Sequence, residues 1–294
     1  MITVMGATGQ VGRQITERLL EAGESVRAIG RNPRTLAALA AAGAETFCGD
    51  AADVAFLTRA FRGAVAVHTL LPYDPTTPDF RAEQKRLGEA IVTAVRDAGV
   101  RHVVALSSLG ADLPVGTGFI ASLHAQEQRL RRLTDVNVLI LRPGLFFESI
   151  TAAVDLVRAL GINADAVAAD APVPMIATRD VAEVAAAALA AHEWTGVQVR
   201  ELLGPSDLTY TEATSILGAA IGRPDLEYVR LPDAEMVEAL VQAGFSPDTA
   251  VLHVEMGRAL SDGTIVSLAG RTEATATPTP FEAVVADLVQ DRAA

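Results

Sequence analysis

A glycine-rich segment near the start of the chain has the spacing of a phosphate-binding loop. It follows the apolar run Ile2–Met5 and has the sequence Gly6-Ala7-Thr8-Gly9-Gln10-Val11-Gly12. The early glycines would let the backbone turn tightly and approach a pyrophosphate, and Gly12 would let the next helix pack closely on the strand. The free N–H groups at the start of that helix would face the phosphate charge. We therefore predict dinucleotide contacts from Gly6, Thr8, Gly9, Gln10, Val11 and Gly12; the alternative is a tight turn without a ligand.

Two arginines follow the second predicted strand, residues 25–29, where an NAD-binding chain carries an Asp or Glu for the ribose 2′-hydroxyl. The segment here is Gly30-Arg31-Asn32-Pro33-Arg34. Arg31 would offer a planar guanidinium to a 2′-phosphate, and Arg34 would add a second positive charge. This pattern predicts NADP(H) rather than NAD(H) as the cofactor; the alternative is that both arginines are only solvated.

Residues at the ends of later strands are further candidates for cofactor contacts. Asp50 follows the third predicted strand, where its carboxylate would either accept a hydrogen bond from the adenine amino group or cap the following helix. Ser107 follows the fifth strand, and we predict that it lines the cofactor cleft. The remaining candidate cofactor contacts are Ala51, Leu70, Leu71 and Pro143.

Familiar acid–base, metal and nucleophile patterns are missing from the sequence. Classical short-chain dehydrogenases pair a tyrosine with a lysine four residues later, which lowers the tyrosine pKa. The chain has one lysine, Lys85, and the residues four positions after its three tyrosines are Thr77, Thr214 and Pro232. This argues against alcohol–ketone chemistry by that mechanism. The five histidines lack an H-x-x-x-H spacing and no G-x-S-x-G segment occurs, so we predict neither a metal site nor a hydrolase.

These candidate residues need a scaffold that brings the ends of several strands to one edge. Short apolar runs alternate with helical patterns over the first half of the chain, and such strands imply a parallel sheet covered on both faces. Right-handed crossovers then predict a doubly wound, Rossmann-type α/β fold, with residues 1–144 as the NADP(H)-binding domain. The predicted strands are residues 2–5, 25–29, 45–48, 64–71, 102–106 and 137–141, and the predicted helices are residues 10–22, 34–42, 79–98 and 118–133.

The second half of the chain has a more irregular pattern. We predict that residues 145–294 form a smaller α/β lobe on the substrate side, interleaved with the sheet edge. Predicted helices are residues 150–160, 179–191, 211–221, 233–243 and 248–260, predicted extended segments are residues 166–176, 197–203 and 227–230, and a tail at 271–280 leads into a last helix.

Composition limits the classes of partner. The 24 basic and 36 acidic residues give a net charge of −12, which repels nucleic acid and anionic lipid surfaces. Cys48 is the single cysteine, so no intramolecular disulfide can form. No apolar run reaches the ~18 residues of a membrane span, and the start resembles a strand rather than a signal peptide. We expect a cytoplasmic protein that acts on a small molecule, with a homodimer or a protein partner left open.

The motifs together resemble those of the NmrA-like atypical short-chain dehydrogenase/reductase family. The glycine loop, Arg31-Asn32-Pro33 and Gly49-Asp50 carry the N-terminal part of the resemblance. The remaining similar segments are residues 124–130, 138–148, 176–182 and 204–210. The resemblance implies a Rossmann domain that binds NADP(H) and a small lobe over the nicotinamide. It also implies a Lys or His on the helix after the fifth strand, where His124 is a weak candidate proton donor or a structural histidine. Glu127 matches an acidic position of the family, or it pairs with Arg131 one helical turn later.

The resemblance leaves two functions open. Quinone oxidoreductases and triphenylmethane reductase-like members pass hydride to flat, conjugated acceptors, whereas NmrA-type members bind the dinucleotide as sensors and contact a protein partner. Hydride transfer to a conjugated acceptor needs chiefly proximity and orientation, so a missing Tyr-Lys pair is no obstacle. In an NADPH-dependent oxidoreductase, Tyr73, Phe146 and Phe147 would form an aromatic wall for a flat substrate; the alternative is that they pack in the core or a lid.

Overall fold

In the computed structural model, which describes residues 1–152, 154, 157 and 161–291, strands and helices alternate over the first half of the chain. The strands are β1 (Ile2–Met5), β2 (Val26–Gly30), β3 (Glu45–Cys48), β4 (Ala66–Thr69), β5 (His102–Leu106) and β6 (Asn137–Pro143). The helices between them are α1 (Gln10–Glu21), α2 (Pro33–Ala41), α3 (Val54–Phe61), α4 (Phe80–Asp97) and α5 (Ile120–Leu130). The predicted α/β alternation is confirmed.

The main sheet is parallel and changes direction at β1. Within the described residues it has seven strands in the order β10-β6-β5-β4-β1-β2-β3, where β10 is Val197–Leu202. Ile2 of β1 pairs with Val26 of β2 on one side and with Ala66 of β4 on the other. Chain connections therefore run in opposite directions from β1, which opens a crevice at the carboxyl ends of β1 and β4. The doubly wound prediction is confirmed.

Successive residues of the strands feed two separate apolar layers. Val4, Ala66 and Val104 face a core shared with α1, whereas Met5 and Val67 face a core shared with α3 and α4. This alternation with nearly all positions apolar is the signature of strands buried on both faces.

The chain returns to the main sheet after the first half ends. Helix α7 (Thr178–Ala191) packs beside α1, and β10 then pairs in parallel with β6, from Val197 opposite Val138 to Leu202 opposite Pro143. Residues 178–202 therefore complete the sheet that the sequence assigned to residues 1–144. A parallel neighbour for β6 needs a crossover helix, and α7 supplies it.

The remaining elements form the lobe. Strands β7 (Leu145–Phe146), β9 (Val173–Ile176) and β11 (Asp207–Leu208) make one small sheet, and β8 (Ile162–Asp165) pairs with β12 (Glu227–Arg230). Its helices are α6 (Phe147–Thr151), α8 (Tyr210–Ala220), α9 (Asp233–Gln242), α10 (Pro247–Ser261) and α11 (Phe281–Asp291).

One predicted element of the lobe differs from the structure. The predicted extended segment 166–176 contains strand only from Val173 onward, and the preceding strand, β8, ends at Asp165. The predicted helix 150–160 begins within α6, and its positions 154 and 157 are also helical, whereas positions 153, 155, 156 and 158–160 lie outside the described residues. Among the residues that the structure describes, no helix is long and apolar enough to cross a bilayer.

Candidate active site

A cleft of about 460 Å³ opens at the crevice where the sheet order reverses. One end is lined by the glycine loop and by the ends of β2 and β3, and the other end is lined by the segments that follow β4, β5 and β6. The predicted site residues that line it are Gly6, Thr8, Gly9, Gln10, Val11, Gly12, Arg31, Ala51, Leu70, Tyr73 and Phe146.

The glycine loop has the geometry of an anion-binding turn. Gly6 has φ +67°, and a Cβ there would lie 2.5 Å from Leu70 Cδ2. A Cβ on Gly12 would lie 2.2 Å from the Gly6 carbonyl oxygen, so only glycine lets α1 pack this closely on the loop. A Cβ on Gly9 would contact nothing closer than Gly6 O, at 3.4 Å. Protein packing therefore explains Gly6 and Gly12, whereas at Gly9 the free space is on the cleft side.

The first turn of α1 presents free donors to this space. Its N-cap, Gly9, has no side chain to accept a hydrogen bond. The backbone N–H groups of Gln10, Val11 and Gly12 donate to no other described residue. Three donors at the positive end of a helix fit a pyrophosphate, since they would otherwise be satisfied only by water.

Arg31 provides a positive charge at the part of the cleft wall that follows β2. Its side chain is exposed and makes no hydrogen bond or ion pair within the part of the chain that the structure describes. The charge of Arg31 also acts on the nearby Asp74 carboxyl. Hydrogen bonds from Thr76, with a smaller contribution from Arg31, hold the pKa of that carboxyl below its usual range. A free guanidinium at the cleft wall fits a phosphate ligand.

Aromatic and apolar side chains form another part of the cleft wall. Tyr73 is 45% exposed, and its ring packs against Phe80 and Phe119 with centroid distances of 5.7 and 5.4 Å. Burial of the ring, together with the charge of Asp74, raises the pKa of Tyr73 to about 12, so its hydroxyl stays protonated at neutral pH. Phe146 lines the same part of the wall from the segment after β6.

The NAD(P)H-binding family model matches residues 6–192, which include the glycine loop, strands β2 to β6 and α7. The chain belongs to this NAD(P)H-binding family. A (4-alkanoyl-5-oxo-2,5-dihydrofuran-3-yl)methyl phosphate reductase of Streptomyces griseus is 37% identical over 226 residues, covering 76% of this chain and 75% of that protein. Quinone oxidoreductase 2 of Escherichia coli is 31% identical over 253 residues, covering 84% of this chain and 83% of that protein.

The similarity extends to three dimensions in a solved structure. The NADPH complex of the NADPH-dependent quinone oxidoreductase of Escherichia coli superimposes with a TM-score of 0.82 at 25% identity, over 98% of this chain and 99% of that chain. The expected resemblance to quinone oxidoreductase-like reductases and the predicted Rossmann fold are confirmed.

Not all predicted cofactor contacts of this NAD(P)H-binding chain reach the cleft. Arg34 is exposed but absent from the cleft wall; its backbone N–H is held by Asn32, whose side chain caps α2 at 2.9 Å. Asp50 accepts a hydrogen bond from Ala52 N–H at 2.9 Å, and Asp53 is the residue that caps α3. The predicted capping role of Asp50 is therefore wrong, and its adenine contact stays a prediction.

Ser107 does not line the cleft, because its hydroxyl is bound to a buried carboxylate. Its hydroxyl donates to Glu127 Oε1 at 2.7 Å, and Glu127 also accepts two hydrogen bonds from Arg142. Arg131, the expected helical partner of Glu127, also forms an ion pair with it, at the longer distance of 3.5 Å between Nη2 and Oε2. Leu71 shares a small void with Ser107 behind the cleft, and Pro143 is buried opposite Leu202. The contacts of Ser107, Leu71 and Pro143 with the cofactor stay predictions, and none of the three lines the cleft in this structure.

Two other candidates have structural roles. Phe147 is 1% exposed and packs against Phe281 with centroids 5.1 Å apart, so its assignment to the substrate wall is wrong. Its ring lies in the buried apolar cluster of the lobe that also contains Phe281. His124 donates from Nδ1 to the Ala111 carbonyl at 2.9 Å and does not line the cleft, which supports the structural alternative. No group of metal-ligating residues occurs among the residues that the structure describes.

The sequence interpretation missed several residues of the cleft wall. The missed lining residues are Met5, Ile29, Gly30, Gly49, Pro72 and Leu106. Two of them carried a signal: Gly30 ends β2, Gly49 follows β3, and a Cβ at either would press on a neighbouring side chain, Thr8 at 3.1 Å or Phe56 at 2.5 Å. Glycine directly after a strand marks a place where the backbone itself forms the wall.

Proposed function

We propose that this chain is an NADPH-dependent reductase that delivers hydride to a conjugated, quinone-like small molecule. The observation that carries the proposal is the cleft, which combines free helix N–H donors and Arg31 with a wall of aromatic and apolar side chains. The sequence similarity of the chain to a furanone phosphate reductase and to a quinone oxidoreductase supports the same class of reaction.

Different residues of the cleft would bind the different phosphate groups of the cofactor. Backbone N–H groups of Gln10 to Gly12 would hold the pyrophosphate, and Arg31 would hold a 2′-phosphate. When bound, the reduced nicotinamide supplies the hydride. The fit rests on donors that lack a protein acceptor and on the space beside Gly9.

The chain itself contributes orientation and exclusion of water. Leu70, Pro72, Leu106 and Phe146 give the cleft an apolar end where a flat acceptor would lie against the wall. Because the sequence has no Tyr-x-x-x-Lys pair, the acceptor must spread the developing negative charge over its own π-system. This favours quinones and other conjugated acceptors over isolated ketones.

Turnover assays on an acceptor panel test the proposal. NADPH oxidation is followed with a benzoquinone, a naphthoquinone, an azo dye and an aliphatic ketone as the negative control. We expect turnover with the conjugated acceptors and none with the ketone. Tight NADPH binding without turnover on any acceptor would instead support the regulatory alternative, in which occupancy of the cleft changes a surface for a protein partner.

We further propose the cytoplasm as the site of action and a small molecule as the main partner. A reductase consumes NADPH where it is supplied, and Cys48, the single cysteine, needs no oxidising compartment. Sedimentation with and without NADPH distinguishes a homodimer from a monomer, and a net charge of −12 disfavours nucleic acid as a ligand.

A further inference from the structure

Glu148 lies two residues after the cleft residue Phe146 and binds a distant helix. Its carboxylate accepts the Thr178 N–H at 3.0 and 3.1 Å and the Thr178 hydroxyl at 2.6 Å. The N-cap of α7, Ala177, has no side chain that could accept these donors. Glu148 therefore caps α7 from another segment of the chain, with its charge at the positive end of that helix.

The Thr178 hydroxyl continues the contact to the helix of the glycine loop. Thr178 is 1% exposed, and its oxygen accepts a hydrogen bond from Gln14 Nε2 at 3.0 Å. The same Gln14 nitrogen donates to the Gln10 carbonyl at 3.0 Å. Since a carbonyl oxygen only accepts, the amide nitrogen must face Gln10, and both of its hydrogens are used.

The number of hydrogens on Gln14 and Thr178 determines which group donates in each of these hydrogen bonds. Thr178 has one hydroxyl hydrogen, which goes to Glu148, so its oxygen is free to accept from Gln14. Glu148 accepts the Thr178 N–H with both of its oxygens and the Thr178 hydroxyl with Oε1. The order Gln14 to Thr178 to Glu148 therefore has one arrangement only.

These hydrogen bonds join the two ends of the cleft. Gln10 lines the phosphate end and Phe146 lines the aromatic end. The residues that connect them come from three separate segments, with 164 residues between Gln14 and Thr178 and 30 between Glu148 and Thr178. A shift of the segment after β6 would have to break these part-buried hydrogen bonds.

We infer that Glu148 is a positioning residue that, through Thr178 and Gln14, fixes the Phe146 wall relative to the glycine loop. The functional part of this inference rests on the proposed reductase activity, because Phe146 matters there as the wall for the acceptor. A role in capping α7 alone is the competing explanation.

A matched pair of substitutions at Thr178 separates the two explanations. Thr178→Val keeps the side-chain shape and the backbone N–H that donates to Glu148, but it removes the hydroxyl. Thr178→Ser keeps the hydroxyl. Thr211→Val, which removes a hydroxyl bonded to the Ala169 carbonyl at the start of α8, is the control for hydroxyl loss. We expect Thr178→Val to lower kcat/KM for a quinone about tenfold, through a lower kcat together with a higher KM. Small misplacements of reacting groups are costly to the rate. The affinity for NADPH should change less than about twofold, because the α1 donors are untouched.

Amide hydrogen exchange on the unliganded protein gives a readout without activity. Thr178→Val should speed exchange in peptides that cover residues 145–151, while Thr178→Ser and Thr211→Val should match the unsubstituted chain. Unchanged exchange and kinetics in Thr178→Val would overturn the inference in favour of capping alone, and equal damage from Thr178→Ser would overturn the hydrogen-bond basis. If the unsubstituted chain binds NADPH but reduces no acceptor, the proposed function fails, and the exchange data still decide the role of Glu148.

Discussion

The Glu127 carboxylate accepts two parallel hydrogen bonds from the Arg142 guanidinium, at 2.8 and 2.7 Å, in the interior between α5 and β6. Glu127 is 2% exposed and Arg142 is 8% exposed. The pair ties helix to sheet directly behind the cleft, and the Ser107 hydroxyl completes it. These hydrogen bonds raise the pKa of Arg142 above its usual range, so the guanidinium stays charged.

Glu127→Ala should destabilise the fold strongly, because it leaves the Arg142 charge buried without its main partner. We expect a loss of about 3 kcal/mol in the free energy of unfolding, measured by chemical denaturation. The double variant Glu127→Leu with Arg142→Met should lose less than Glu127→Ala alone, since no buried charge is left. Equal losses in the single and double variants would contradict a role for the uncompensated charge.

His68 should make stability depend on pH. Burial lowers its pKa from 6.5 to about 4, and its Nδ1 contact with the Met5 carbonyl, at 3.3 Å, opposes this only in part. As the pH falls below 6.5, His68 becomes protonated in the unfolded chain but stays neutral in the folded chain. The contribution of His68 to the free energy of unfolding is therefore present above pH 6.5 and is lost towards pH 4. The loss at His68 amounts to about 3 kcal/mol over this window.

His68→Leu provides the control for that pH dependence. Unfolding free energies of both chains are measured between pH 7.5 and pH 4.5, and the variant should show the shallower slope below pH 6.5. Parallel curves for the two chains would show that His68 does not carry the effect.

The main sheet was predictable because its residues obey local rules. Apolar runs such as Ile2–Met5 and His102–Leu106 gave strands whose predicted bounds match the structure. The glycine loop was equally readable, since Gly6 and Gly12 are required by backbone geometry within a few residues of sequence.

The rest depended on contacts between distant segments. Side-chain direction after a strand is set by the partner it meets: Ser107 turns to Glu127, and Phe147 turns to Phe281. Neither partner can be inferred from spacing along the chain. The return of β10 to the main sheet was obscured in the same way, because its first four residues are exposed at the sheet edge.

Gly9 and Gly12 should respond differently to alanine. Gly12→Ala places a Cβ 2.2 Å from the Gly6 carbonyl oxygen and should lower the melting temperature of the unliganded protein, whereas at Gly9 the same contact is 3.4 Å and the fold should be kept. Gly9→Asp should keep the fold but abolish NADPH binding, because a negative side chain would stand where the pyrophosphate binds. Thermal unfolding and calorimetric titration measure the two effects separately. NADPH binding by Gly9→Asp at unchanged affinity would rule out the phosphate position assigned to this loop.

Arg31→Ala should distinguish the two pyridine dinucleotides. Removal of a charge-assisted hydrogen bond to the 2′-phosphate should weaken NADPH binding by about 1.5–3 kcal/mol and leave NADH binding nearly unchanged. Arg34→Ala is the matched control, because Arg34 is also exposed but does not line the cleft, and its effect should be smaller. Calorimetric titration of the three chains with each dinucleotide gives the comparison. An equal loss for NADPH and NADH in Arg31→Ala would mean that Arg31 contacts a part that the two molecules share, and the preference for NADPH would then need another source.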